Sequence, residues 1–375
     1  MKKILHIPNY YPPHIGGIED VCHSIVSGLP GFHHRVVCFN NKKTTERDSY
    51  EGVEIIRCGV LKKLFSQSLS LSLFGELGKI LREFDPDVVH FHAPNPLSSV
   101  YLLTQLSRKT KLIVHWHSDI IEQDLLYTFY RPIEKQLLKR ANKILVTSPT
   151  YALGSKALHP LQEKLEVIPN TVKINKLQKQ EGDNKEIEKV KNLYGRKKII
   201  FTFGRHVPYK GLQYLIDAVP FISEDAVVVI AGNGPLSEDL KNRSTSSSVY
   251  FINHLTDDEL RCYLYASDVF AFPSITRNEA FGIALAEAMY CGLPSVTFTI
   301  PHSGVNWVCV NDETGLESEN GNSQVFADSI NALIKNPVLR TKLGENASKR
   351  ARAFFIMDAI KDNLIALYGH NNLDN

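Results

Sequence analysis

The chain has 375 residues, 43% of them hydrophobic and 22% charged, and a net charge of +3 at pH 7. This is the composition of a soluble globular protein, long enough for about two domains with sizeable cores. The charge is too mild for a nucleic-acid-binding protein, and the six cysteines, scattered without a C-x-x-C, argue against a disulfide framework or a zinc site and for a reducing cytoplasm.

In chain order, the start MKKILHIPNYYPP offers only a short apolar stretch before Pro8, less than the ~7 residues of a signal-peptide core. No later run approaches the ~18 apolar residues of a membrane span. The expected location is cytoplasmic, at most peripheral on the inner face of a membrane. Strand candidates follow at 3–7, 35–39, 53–57, 87–92, 111–116, 143–147 and 165–169, then at 198–204, 226–232, 249–253, 268–272 and 294–298. They are short, apolar and β-branched, with helical patterns between them, which predicts parallel sheets covered on both faces. The expected fold class is α/β, with two doubly wound domains, 1–170 and 171–356. Between them, 172–198 is polar and rich in both charges and reads as a solvated connector. The tail from Asp358 to Tyr368 has a helical pattern suited to packing back on either half.

In open α/β sheets, ligands sit beyond the carboxyl ends of the strands, and the informative residues fall there. After strand 3–7, Gly16 and Gly17 lead into an apolar helix. They suit either close backbone approach to an anion or a plain strand-to-helix turn. After strand 198–204, Arg205 and Lys210 share a loop edged by Gly204 and Gly211. A guanidinium gripping two oxygens beside an ammonium suits a diphosphate; two exposed loop cations are the alternative. After strand 226–232, Gly232 and Gly234 bracket Asn233 before a Pro-started helix, which fits a nearby nucleotide or an ordinary helix start.

The segment RNEAFGIALAEAMYCGLPSV (277–296) carries Glu279 and Glu287 in an apolar setting. Eight positions along one helix turn through about 80°, and buried carboxylates are costly unless hydrogen-bonded. Gly282 resolves the conflict by interrupting the helix. Glu279 and Phe281 then lie in a loop, and the helix starts near Ile283 with its positive end toward the place occupied by Arg205 and Lys210. Glu279 accepts from the hydroxyls of a sugar, and Glu287, one turn into the helix, from a second polyol. That arrangement describes a nucleotide-sugar site.

Other constellations are weaker. His90, His92, His115 and His117 end two neighbouring strands, but no cysteine or spaced carboxylate completes a ligand set, so no metal is expected. Asp85-Pro86-Asp87 spells an acid-x-acid pattern at the wrong end of its strand. Asp119 follows strand 111–116 as a candidate base or as the cap of a helix at 120–130. Cys291 reads as a small buried residue. Basic amphipathic segments at 61–84 and 131–143 lie in the more positive half and make an anionic membrane surface a candidate partner.

Together YYPPHIGGIE, DVVHFHAPNP, VHWHSDI, VIPNTV, FGRHVPYKG, AGNGP, PSITRNEAFGIALAEAMYCGLP and ETGL resemble the retaining nucleotide-sugar glycosyltransferases of family 4, over nearly the whole chain. The resemblance implies a GT-B fold of two Rossmann-like domains facing each other across a cleft, with the C-terminal helix (357–375) crossing back onto the first. It implies that Arg205 and Lys210 stabilise the leaving diphosphate, approached by Gly16 and Gly17 from the other domain. Glu279 would contact the transferred sugar beside the backbone of Phe281, Gly282 and Ile283, and Glu287 would hold the ribose. His117 matches a histidine that points at the donor sugar, and His14 and Asp119 are assigned to the acceptor side. No cofactor or metal is implied. The partners are a nucleoside-diphosphate sugar and a glycan or lipid-linked acceptor in cell-surface polysaccharide synthesis. Two departures stand out: Thr171 replaces a common glycine, and the usual Gly-Gly pair near 302–304 reads His302-Ser303-Gly304. The alternatives are a nucleotide-sugar epimerase or phosphorylase on the same architecture, or a non-catalytic nucleotide-sugar-binding subunit. The presence of Arg205, Lys210 and both glutamates argues against the last.

Overall fold

The computed structural model describes residues 1–14, 16–64, 67–120 and 124–369. The chain divides into two compact units, one of Met1–Pro169 together with the segment from Ile360 onward, the other of Asn170–Ala359.

In the first unit, strands β1 (Lys3–Ile7), β2 (His33–Phe39), β3 (Glu46–Tyr50) and β4 (Val53–Cys58) precede a small hairpin, β5 (Lys62–Leu64) and β6 (Gln67–Leu69). Strands β7 (Val88–Ala93), β8 (Lys111–Trp116), β9 (Lys143–Val146) and β10 (Leu165–Val167) follow. Eight of these form one sheet in the order β10-β9-β8-β7-β1-β2-β4-β3. It is parallel except for β3, which runs antiparallel to β4. β3 has a half-exposed, charged pattern, which is why its sequence ERDSY carries no apolar strand signal. The helix Met357–Tyr368 closes this unit: its last residue, Tyr368, is buried, with its hydroxyl 2.6 Å from His90 Nδ1.

The second unit adds β11 (Lys198–Phe203), β12 (Ala226–Ala231), β13 (Val249–Ile252), β14 (Val269–Phe272), β15 (Ser295–Phe298) and β16 (Gly315–Ser318). Their order, β13-β12-β11-β14-β15-β16, is parallel throughout. Numbered within the unit, that is 3-2-1-4-5-6, the doubly wound order whose ligand crevice lies where the winding reverses, between β11 and β14. β12 shows why such strands read as continuous apolar runs: all six residues of AVVVIA are buried, because helices cover both faces.

Three expectations need correction. The stretch 172–198 is not a solvated connector but the start of the second unit. It contains the helices Ile174–Leu177 and Asp183–Leu193 and delivers Leu177, Ile187 and Tyr194 to the core. Its apolar residues are sparse because only one helix face is covered. The acid that is buried there, Asp183, receives Arg261 Nε at 2.7 Å and Nη2 at 3.0 Å, and Arg261 also donates to the Lys176 carbonyl. The segment 61–84 is not one amphipathic stretch: the β5–β6 hairpin comes first, then the helix Ser72–Glu83. The helix placed at 120–130 is observed as Asp124–Arg140, with 121–123 outside the described residues.

Asp183→Asn is expected to destabilise the second unit by about 3 kcal/mol, because it leaves the buried Arg261 guanidinium with only the exposed Asp258 carboxylate. The hydrogen bonds from Arg261 hold the Asp183 carboxyl below its ordinary 3.8. The stabilisation is therefore full above that pH and fades as acid carries it through the folded value. The chain has two tryptophans, so urea titrations of Trp116→Phe protein follow the second unit through Trp307. The gap in stability between Trp116→Phe protein with and without the Asp183→Asn change should be widest at pH 7 and narrow below 3.8. A gap indifferent to acid would rule the ion pair out as its source.

Candidate active site

In the second unit the site is assembled from the three loops leaving β11, β12 and β14. After β11 the backbone turns at Gly204, exposes Arg205 and buries His206, then passes through the short turn Pro208–Lys210 into the helix Leu212–Ala218. After β12, Gly232 takes a φ of +119° and sits so near this first loop that a Cβ there would lie 2.0 Å from the Gly204 carbonyl oxygen. Asn233 is exposed, and its carbonyl accepts the His206 N–H at 2.9 Å. Ser237 Oγ links the two loops again, accepting from Gly234 N–H and lying 2.9 Å from His206 Nδ1. Neither His206 nor Ser237 was read from the sequence as part of the site. The only available signal was the position of His206 between the two cations.

After β14 come Pro273 and the buried Ser274. The Ile275 N–H bonds the Tyr209 carbonyl at 3.0 Å, tying this loop to the first. Gly282 then adopts a φ of +89°, and the helix Ile283–Tyr290 begins directly after it. The break therefore leaves Glu279 in the loop and Glu287 half-buried one turn into the helix. Phe281 is turned into the core, edge-on to Phe355 with ring centroids 5.3 Å apart, so only its backbone is available to a ligand.

The charges at this place are arranged more specifically than the sequence suggests. Lys210 Nζ donates to Glu279 Oε2, which also accepts from Ser274 Oγ at 3.2 Å. The ammonium lies over the Phe272 and Tyr209 rings, 4.9 and 5.6 Å from their centroids. Burial pulls the Lys210 pKa down, but the Glu279 carboxylate and Tyr209 outweigh it and hold it above its ordinary value. Lys210 is thus a cation at neutral pH. Arg205, by contrast, is exposed at the loop surface. Glu279 is not a lone acceptor for hydroxyls but one end of an ion pair.

In the first unit, the helix Gly17–Gly28 starts after Gly16, and the Glu19 carboxylate folds back over it. A Cβ on Gly16 would lie 2.2 Å from Glu19 Oε2. Burial pushes the Glu19 carboxyl up. His14 stacks on Tyr10 with centroids 4.3 Å apart, and its Nδ1 is 3.4 Å from Asn41 Nδ2. Asp119 is engaged by its own unit: Oδ1 accepts from Trp116 Nε1 at 2.9 Å and from Ser155 Oγ at 2.7 Å. Asp87 likewise accepts the Lys3 N–H at 2.8 Å, a structural use of the acid-x-acid pattern. Cys291 is half-buried, and burial pushes its thiol up to about 12, which leaves little thiolate for nucleophilic chemistry.

His117 continues β8 and lies 2.9 Å, through Nε2, from His92 Nδ1. It belongs to a larger buried cluster than the four histidines singled out from the sequence, since His6 and His34 join from β1 and β2 with a 3.0 Å contact. Ring nitrogens of His90, His92 and His115 lie within 4.8 Å of one another. Their rings nevertheless stack face to face, 3° apart for His90–His92 and 25° for His92–His115. Metal-binding lone pairs lie in the ring plane, and nearly parallel rings do not converge on one point.

Burial drives these imidazoles well below their ordinary 6.5, His115 down to about 3. In the folded unit they stay neutral while the unfolded chain takes up protons below pH 6.5, so stability falls as the pH falls. Each such histidine contributes a slope of about 1.4 kcal/mol per pH unit in that window. Melts of Trp307→Phe protein, in which Trp116 reports, should drop by at least one histidine's worth between pH 6.5 and 5. A melting temperature independent of pH over that range would contradict the neutral cluster.

Two family models match the chain: Glycosyltransferase Family 4 over residues 15–176 and Glycosyl transferases group 1 over residues 183–350. The chain is 28% identical to the O-antigen chain mannosyltransferase C of Escherichia coli over 373 residues, 98% of each protein. It is 30% identical to the D-rhamnosyltransferase WbpZ of Pseudomonas aeruginosa over 360 residues, 94% of this chain and 92% of the relative. The crystal structure of Anabaena Alr3699/HepE in complex with UDP and glucose superposes with a TM-score of 0.77 at 20% identity, covering 98% of this chain and 99% of that one. That likeness shows the GT-B fold. With a family model on each unit and relatives along its length, the chain belongs to the family 4 glycosyltransferases, the glycosyl transferases of group 1, and is a transferase enzyme.

Proposed function

We propose that this glycosyltransferase moves a manno-configured hexosyl group from a nucleoside diphosphate to a glycan or lipid-linked acceptor, with retention at the anomeric carbon and without a metal. The observation that carries this reading is the cluster of Arg205, Lys210 and Glu279 at the winding reversal of the second sheet, beside the N-terminus of the helix Ile283–Tyr290. The mannosyl- and D-rhamnosyltransferase relatives support the manno series, D-rhamnose being mannose without its 6-hydroxyl.

In the reaction the bond between the anomeric carbon and the diphosphate oxygen breaks, and the acceptor oxygen bonds to that carbon. The acceptor proton passes to the departing phosphate on the same face of the sugar. Negative charge grows on the leaving group, and Lys210, Arg205 and the helix N-terminus are positioned to meet it. An ammonium has three N–H donors, so Lys210 can hold Glu279 and a phosphate oxygen together. Glu279 keeps its second oxygen for a sugar hydroxyl, Glu287 takes the ribose, and Gly204, Gly232, Asn233 and the Phe281–Ile283 backbone line the donor within the second unit; the part given to Gly16 and Gly17 in the first unit rests on the family resemblance. His117 addresses the sugar, and His14 and Asp119 serve the acceptor side.

We place the enzyme at the inner face of a membrane, on anionic lipid. Exposed Lys62 and Lys63 beside exposed Leu61, Leu71 and Phe74 support that contact. The segment 131–143 supports it less, since Arg140 is bonded to the Ser107 and Thr110 carbonyls and Lys143 to Glu166. No helix among the described residues is long and apolar enough to cross a membrane.

Release of free nucleoside diphosphate from GDP-mannose, UDP-glucose and ADP-glucose, with and without EDTA, tests the reading. One donor should be turned over regardless of EDTA, and Lys210→Ala should lower kcat by about 10²–10³. Inhibition by EDTA would remove the metal-free mechanism, and a Lys210→Ala enzyme as fast as the wild type would remove the site.

A further inference from the structure

We infer that Ser303 is the positioning residue of Glu279, an inference that rests on the role given to Glu279 above. The loop 299–304 follows β15, and the Glu279 loop follows β14, its neighbour in the sheet. The β15 loop is braced from within. Asn306 Oδ1 accepts the Ile300 N–H at 2.8 Å, Asn306 Nδ2 donates to the Phe298 carbonyl at 3.1 Å, and the Ser303 N–H donates to the Ile300 carbonyl at 3.1 Å. His302 makes the turn with a φ of +59° and stays exposed.

Ser303 itself is fully buried. Its hydroxyl donates to the Glu279 carbonyl oxygen at 2.5 Å, and its oxygen accepts the Val305 N–H at 3.2 Å. The hydroxyl thus joins the start of the helix Val305–Val308 to the peptide of Glu279. The Glu279 N–H in turn donates to the Thr276 carbonyl at 3.1 Å, so both polar groups of that residue's backbone are tied down. Its carboxylate is held separately by Lys210 and by Ser274.

The two restraints do different work. Lys210 also answers to the diphosphate, so its hold on the carboxylate changes as charge develops on the leaving group. Ser303 bonds Glu279, Ile300 and Val305, and none of these bonds reaches the loop that carries Arg205 and Lys210. A carboxylate that must accept from a particular sugar hydroxyl has to be placed closely, since a misplacement of ~1 Å costs about 10²-fold in rate. A glycine at this position, the residue the family resemblance leads one to expect, offers no hydroxyl and leaves the Glu279 carbonyl without this bond. Ser303 is therefore how this chain sets Glu279 against the sugar, independently of nucleotide binding.

Ser303→Ala and Ser303→Gly enzymes test this beside Glu279→Gln, with the donor that the wild type turns over (GDP-mannose first) and its nucleoside diphosphate as the binding probe. The expected result is a kcat lowered about tenfold, with donor KM and nucleoside diphosphate Kd within about twofold of the wild type. Unchanged kcat in both Ser303 variants overturns the inference. So does a loss of kcat and diphosphate binding in parallel, or failure of both variants to fold, because each makes Ser303 merely structural. If Glu279→Gln is itself fully active, the site proposed above fails, whatever Ser303 does. An inactive Glu279→Gln with intact Ser303 variants defeats only the positioning role.

Discussion

At the centre of the second unit, backbone lies directly against backbone. β11 stands between β12 and β14, so three loops leave the same end of the sheet side by side. Gly232 is pressed onto the Gly204 carbonyl, and a Cβ on Gly211 would come within 2.1 Å of the Pro273 carbonyl oxygen. Side chains at those positions would drive the loops apart and carry Arg205, Lys210, Asn233 and Ser274 with them. The polar groups of the site converge because neighbouring positions have no side chain at all.

Two ion pairs in this unit illustrate how similar chemistry serves different ends. Asp183 and Arg261 are almost completely buried, with both carboxylate oxygens taken, and they lock the first helices of the unit against the helix Asp257–Ala266. Arg261 takes the exposed Asp258 as a second partner. Lys210 and Glu279 retain a little more exposure, 16% and 11% of their side chains, and lie at the carboxyl end of the strands where ligands bind. Each has hydrogen-bonding capacity beyond the other: two ammonium protons and one carboxylate oxygen. That spare capacity is what the proposed role in donor binding uses; the Asp183–Arg261 pair has none and is architecture.

The first unit solves a different problem, that of placing imidazoles inside an otherwise apolar sheet. VVHFHA in β7 is buried at every position, and its histidines are tolerated because they stay neutral and bond His115, His117 and Tyr368. Tyr368 comes from the last described helix, whose final carbonyls receive Lys2 and Lys111 at 3.3 and 2.6 Å. The last described helix is thus held to this sheet through polar contacts that no local pattern announces.

Most strands were legible because parallel, doubly covered strands must be apolar along their length, and such runs are visible without knowing their neighbours. Gly282 was legible for a related local reason: a glycine between two carboxylates in an apolar run had to break the helix. β3 and the β5–β6 hairpin were not, since exposed edge and hairpin strands need no apolar signature, and neither was the fate of 172–198, where a mostly polar segment is buried through a few apolar residues and the Asp183–Arg261 pair. The sequence by itself determined which residues carry charge, where helices break and which segments must be covered. Only the tertiary structure decided that Lys210 pairs with Glu279, that His206 and Ser237 bridge two loops, that Asp119 is bound to Trp116 and Ser155, and that Ser303 holds the Glu279 peptide. Except for Asp119 with Trp116, three positions away, those contacts join residues far apart along the chain, and hydrogen bonds of about 3 Å depend on how the strands are ordered, which no single stretch of sequence encodes.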